Sequence, residues 1–243
     1  MGKLHDLASC GQSVWFDYIQ RSLISGGELG RLIEEGIRGV TSNPTIFEKA
    51  IAGSTDYDLA LASLAREGKD TPAIYEELVL KDIALAADLF LPVYTETRGL
   101  DGYVSVEVPP ALAFDAPSTV EEASRIFSKL ARPNVMIKVP ATEQGVEAVV
   151  DLVERGVNVN VTLIFSVERY EQVARAYMTG LTRRLDAGKP VKGVASVASF
   201  FVSRVDTEVD KRLDAIGTPD ALGLRGKAAL ANARLAYQAY QEI

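Results

Sequence analysis

The chain has 243 residues, 47% of them hydrophobic and 24% charged, with a net charge of −7 at pH 7. That length and apolar content suit one large α/β core, whereas the acidic balance, with no basic run or aromatic-interleaved basic patch, argues against a nucleic-acid partner. One cysteine, Cys10, allows no internal disulfide, and one histidine, His5, expected at the surface, leaves no ligand set for zinc. No apolar run reaches membrane-spanning length and no signal-peptide core is present, so no membrane partner and a reducing, cytoplasmic compartment are expected.

Residues 13–19 alternate Val14, Phe16 and Tyr18 against Trp15 and Asp17, the period of a strand with one apolar face. Ser22, Ser25 and Gly26-Gly27 read as a turn into a helix over about 28–36. A second strand at 37–42 closes on Asn43-Pro44, where Asn is suited to cap a helix and Pro to its first turn. Amphipathic stretches at about 55–66 and 71–91, with Thr71-Pro72 as a cap signal and Pro92 past the end, look like a helical insertion covering about 52–92.

The clearest strand is 102–108, with Val104, Val106 and Val108 on one face and Tyr103, Ser105 and Glu107 on the other. Ser118 and Glu121 form a capping-box pattern that opens a helix to about Ala131. Val135, Ile137 and Val139 then alternate with Met136 and Lys138 before Pro140 stops the ladder. A helix over about 143–154, a strand at 157–165, a long helix over 166–185 and a sixth strand at 191–199 come next. Helices over about 201–216 and 222–242 close the chain.

Six strands alternating with helices predict parallel βα units with right-handed crossovers. Central strands of a doubly wound sheet, covered on both faces, should be almost continuously apolar. Here each strand has one apolar face and one that ends in a polar group, which suits a TIM-type (β/α) barrel with its chemistry at the C-terminal strand ends. Neither a dinucleotide-binding G-x-G-x-x-G nor a P-loop is present where it would be needed.

By this alternation Asp17, Glu107, Lys138, Asn160, Thr162 and Ser199 fall on inward faces near the C-terminal ends of five strands. Any one of them, and Lys138 above all, reads alone as a solvated side chain. Together they are equipment for imine chemistry: an amine held away from water attacks a carbonyl, a carboxylate moves protons, and neutral groups hold hydroxyls. A barrel isomerase using proton abstraction alone could use a carboxylate base but would not need the amine, and a mere binder has no use for a buried amine beside two carboxylates.

The motifs G-V-T-S-N-P-T (39–45), V-S-V-E-V (104–108), V-M-I-K-V-P-A-T (135–142), N-V-N-V-T-L-I-F-S (158–166) and S-F-F-V-S-R (199–204) resemble the transaldolases, which are class I aldolases. The resemblance runs from about Leu4 to the end of the chain. It implies that Lys138 forms the Schiff base, that Asp17 takes the proton of the C4 hydroxyl, and that Glu107 and Thr162 hold a water for proton transfer. It further implies that Asn43, Asn160 and Ser199 hold the dihydroxyacetone part and that Arg204 binds phosphate. The implied reaction moves a dihydroxyacetone unit between sugar phosphates, from sedoheptulose 7-phosphate to glyceraldehyde 3-phosphate, in the pentose phosphate pathway, with no metal or organic cofactor.

The sister fructose 6-phosphate aldolases, which release free dihydroxyacetone, resemble this family but carry Gln where Glu107 stands and Tyr where Phe201 stands. At both positions the chain sides with transaldolase. Six strands leave the barrel without its last two βα units. A single barrel domain over 1–243, incomplete at its C-terminus, is therefore expected, as the N-terminal part of a longer transaldolase that could be fused to another sugar-phosphate enzyme. The C-terminal remainder of the same enzyme and a second copy of the chain are the protein partners this leaves open, and a non-catalytic sugar-phosphate-binding fragment is the remaining alternative.

Overall fold

The computed structural model describes residues 2–243. Strands β1 (Trp15–Phe16), β2 (Gly39–Thr41), β3 (Val104–Glu107), β4 (Val135–Pro140), β5 (Val159–Ile164) and β6 (Ser196–Phe200) form one sheet in that sequential order. The pairs β1/β2, β2/β3 and β5/β6 are parallel. Sequential order with a helical crossover between neighbours is the order of a (β/α) barrel, whereas a doubly wound sheet reverses its order part-way. The strands among the described residues are fewer than a closed barrel of this type requires. No helix among them is long and apolar enough to cross a membrane.

Two compact units divide the residues, with the boundary inside β4 and inside helix α7 (Ala116–Leu130). The first takes residues up to 109 together with 125–137. It holds α1 (Lys3–Ser9), α2 (Arg21–Ser25), α3 (Glu28–Glu35), α4 (Pro44–Ala52), α5 (Asp58–Arg66) and the long α6 (Thr71–Glu96). Val40 and Val104, with Leu78, Ile83 and Phe90 of α6, are buried. A smaller cluster joins Ala50, Tyr57 and Leu78 to Leu61, Leu64 and Ile74. Its strands are short, so helix packing supplies much of the buried surface.

Gly39 is needed in β2. A Cβ there would lie 2.5 Å from the Trp15 ring, which occupies that space on the neighbouring strand. Trp15 in turn donates from Nε1 to Ser13, whose hydroxyl bonds Asp101 at 2.6 Å. Burial raises the Asp101 carboxyl, opposed by the Ser13 bond.

The second unit takes residues 110–124 and 138–243. It contains α8 (Glu143–Arg155), α9 (Val167–Asp186), α10 (Ser203–Ile216), α11 (Pro219–Leu222) and α12 (Ala228–Glu242). Thr142 caps α8 by accepting from Gly145 N at 2.9 Å, and Ser166 caps α9 by accepting from Arg169 N at 3.2 Å. Helices α8 and α9 pack closely because Gly180 lets the backbone approach: a Cβ there would meet Val150 O and Val153 at 2.7 Å. Between β5 and β6 the register slips by one residue, since Val161 pairs with Ala198 but Ile164 with Phe200. Leu163, at φ 63°, takes up the extra residue in a left-handed conformation.

Several local expectations change. The region read as a turn at Ser22 and Ser25 is helix α2, and residues 3–9 form a helix that the pattern did not signal. Helix α6 runs through Pro92 instead of ending before it, and Asp70, not Thr71, caps it. Pro92 is exposed, so water can satisfy the carbonyl its ring deprives of a partner. Helix α7 begins before Ser118, and Asp115 accepts from Ser118 N at 3.0 Å in place of a Ser118–Glu121 box. Pro140 lies within β4, not beyond it, and β6 starts at Ser196. His5 is half-buried, its Nε2 2.9 Å from Glu34 O.

Candidate active site

Paired residues on neighbouring parallel strands face the same way, so register locates the polar groups of the first unit. Trp15 pairs with Gly39 and Thr41 with Ser105; extending that register sets Asp17 level with Thr41 and Ser105, and Asn43 level with Glu107. Asp17 lies just past β1 and is exposed. Asn43 caps α4, its Oδ1 accepting from Ile46 N at 2.9 Å. Glu107 ends β3, half-buried.

Burial raises the Tyr75 phenol, and the Glu48 and Glu107 carboxylates add to the rise, which puts Glu107 within electrostatic reach of Tyr75 on α6. Ser42 donates to Ser105 O at 2.8 Å and ties the end of β2 to β3. Thr41 Oγ1, on the same face as Asp17 by register, is buried without a hydrogen-bond partner among the described residues. Sequence reasoning missed it, because a threonine in a strand is ordinarily a β-former and nothing more.

In the second unit the polar groups are deep. Lys138 on β4 is 7% exposed, Asn160 and Thr162 on β5 are 2% and 3%. A lysine seldom reaches such burial without a polar setting. Beyond Lys138, Ala141 N donates to Thr162 O at 2.8 Å and holds the end of β5 in place. Ser199 on β6 donates to Asn160 Oδ1 at 2.8 Å, so these two expected site residues meet.

Phe201 and Arg204 also meet, with the guanidinium carbon 4.7 Å from the ring centroid. Phe165 packs against Phe201 as well, at 5.1 Å between centroids. Arg204 lies in the first turn of α10, where the helix dipole favours an anion. In the sequence Phe165 reads only as the end of an apolar strand, which hides this contact.

Parallel strands in sequential order, alternating with helices, define the scaffold of a partial (β/α) barrel. A family model described as transaldolase/fructose-6-phosphate aldolase matches residues 14–243, and the chain belongs to that family. It is 47% identical over 249 residues to a transaldolase of Trichodesmium erythraeum, covering 99% of this chain and 66% of that one. To a transaldolase of Arthrobacter sp. it is 50% identical over 238 residues, covering 98% and 64%, and to one of Thiobacillus denitrificans 50% over 238, covering 98% and 66%. The chain thus spans about two thirds of the length of the curated relatives it matches.

Proposed function

We propose that the chain carries the Schiff-base machinery of a transaldolase, and the observation behind this is Lys138, buried on β4 in a member of this family. The Lys138 amine attacks the ketose carbonyl and water leaves, giving a protonated imine. Asp17 takes the proton of the C4 hydroxyl, the C3–C4 bond breaks, and its electron pair moves into the imine to leave an enamine on Lys138. The departing fragment is an aldose phosphate.

The enamine then attacks an acceptor aldehyde phosphate, and hydrolysis frees the new ketose phosphate and the amine. Glu107 and Thr162 hold the water that relays protons in imine formation and hydrolysis. Asn43, Asn160 and Ser199 hold the three-carbon unit, and the Ser199–Asn160 bond fixes the amide's orientation. Arg204, steadied over Phe201, takes the phosphate. Donor and acceptor are sedoheptulose 7-phosphate and glyceraldehyde 3-phosphate in the pentose phosphate pathway, in the cytoplasm. Glu107 and Phe201 favour transfer over release of free dihydroxyacetone.

Incubation with fructose 6-phosphate and borohydride, with intact-mass measurement and peptide mapping of the product, tests the reading. A reduced adduct on Lys138 supports it, and an unmodified chain counts against it. Turnover that requires an acceptor aldehyde phosphate separates transfer from simple release.

A further inference from the structure

The helical stretch that interrupts the alternation of strands holds a buried polar cluster that the reaction above does not use. Asp82 of α6 and Tyr57, just ahead of α5, are both fully buried. Tyr57 donates to Asp82 Oδ2 at 2.8 Å, and Arg21 Nε donates to Asp82 Oδ1 at 2.9 Å. The Arg21 guanidinium also lies 4.4 Å over the Tyr57 ring. The Tyr57 hydroxyl in turn accepts from the backbone N–H of Arg21 at 3.1 Å. Burial, reinforced by the Asp82 charge, pushes the phenol far above its ordinary range, so it stays a donor to Asp82.

The cluster grips the segment directly after Asp17. Ile19 is fully buried, Arg21 is held by side chain and backbone alike, and Asp56 Oδ2 accepts from Ser22 N at 3.2 Å and from Gln20 Nε2 at 3.4 Å. Gln20 in turn accepts from the Tyr18 hydroxyl at 2.6 Å. Strand β1 is only two residues long, so the sheet alone does little to fix the residues beyond its end. An exposed carboxylate on such a segment would otherwise sample many positions, and misplacement by about 1 Å can cost a reaction on the order of a hundredfold.

We propose that Tyr57, Asp82 and Arg21 are positioning residues for Asp17, and that the helical stretch exists in part to clamp the Asp17 segment. This rests on the role given to Asp17 in the proposed function. Carbon–carbon cleavage needs Asp17, whereas forming the imine on Lys138 does not. The clamp therefore governs one step and spares the other.

Tyr57→Phe removes one hydroxyl and leaves the ring in place. In the full chain, kcat for transfer should fall about tenfold or more, with KM within about twofold of the parent and the yield of the borohydride-trapped Lys138 adduct unchanged. Amide exchange at Arg21 and Ser22, read by mass spectrometry, should quicken, which reports the clamp independently of turnover. Asp56→Asn, which keeps an acceptor for Ser22 N, should retain most of kcat. An unchanged kcat with unchanged exchange would overturn the inference. So would a loss of adduct in proportion to kcat, since general damage to the fold strikes both steps. A parent chain that yields neither adduct nor transfer brings down the reading of function itself, and this inference with it.

Discussion

The two units hold their polar groups in opposite ways. In the second, Lys138, Asn160 and Thr162 sit within six-residue strands, are nearly inaccessible, and are fixed by the ladder they belong to. In the first, Asp17 and Asn43 lie just beyond strands of two and three residues, Asp17 is exposed, and order comes from helix caps and side-chain bonds. For the nucleophile of the proposed reaction, which must stay dry, a strand interior is suited. For its proposed base, which exchanges a proton with substrate and solvent, a loop is suited, provided something else holds the loop still.

The strongest break in that comparison is Lys138→Arg, which keeps the charge and loses carbonyl attack. The trapped adduct should vanish and turnover fall by at least about a thousandfold, roughly 4 kcal/mol of barrier, while thermal unfolding shifts far less. Next in size is Gly39→Ala, which drives a methyl group into the Trp15 ring. We expect a loss of about 2 kcal/mol in a urea melt. Gly180→Ala makes the matching test of the second unit through the α8–α9 contact, at a similar or smaller cost.

Smaller again is Ser199→Ala, which removes one hydrogen bond from the Asn160 amide. KM should rise about three- to tenfold with kcat little changed, worth on the order of 1 kcal/mol. The smallest effect concerns only the first unit. Glu76 accepts from Arg125, with one contact at 3.0 Å, and from Lys129 at 2.7 Å, and the Arg125 bond leads in lowering its carboxyl to about 2.

Because that folded-state value lies below the ordinary one of 4.5, the stabilisation is complete above about pH 4.5 and is lost as pH falls toward about 2. Solvent screening at this partly exposed site limits it to about 1 kcal/mol or less. Glu76→Gln should flatten the stability curve across that window and leave it unchanged in slope at neutral pH.

Parity in the sequence separated Lys138 from Ile137 and Val139, and Thr162 from Val161. Burial does not repeat that division, because β4 is buried along its whole length and β5 at every position but Leu163. Asn43 was legible as a cap because the Asn-Pro pair suits no other local structure so well. The clamp was not legible. Asp82 sits in a helical stretch where an acidic residue usually marks the solvated face, and only tertiary packing turns it inward to Arg21 and Tyr57. Helix α2 was hidden by serine and glycine, whose local preference for turns was overridden by burial of Leu23 and Ile24. Pro92 misled for a similar reason, since Val93 beyond it is buried and rewards another turn of α6.

The left-handed Leu163 has a consequence for the aromatic pair beside Arg204. Side chains along a strand alternate in phase, and one surplus residue advances that phase by half a cycle. Ile164 and, just past the end of β5, Phe165 are therefore inverted relative to a straight strand, while β6 keeps its phase and Phe201, just past its end, meets Phe165. Drawing Leu163 into a regular ladder would turn Phe165 to the opposite face, whereas deleting Leu163 would restore a regular ladder and leave Phe165 where it is, because Ile164 already pairs with Phe200. The irregular residue is thus a phase shifter, and the contact between the two rings is what its half-cycle makes.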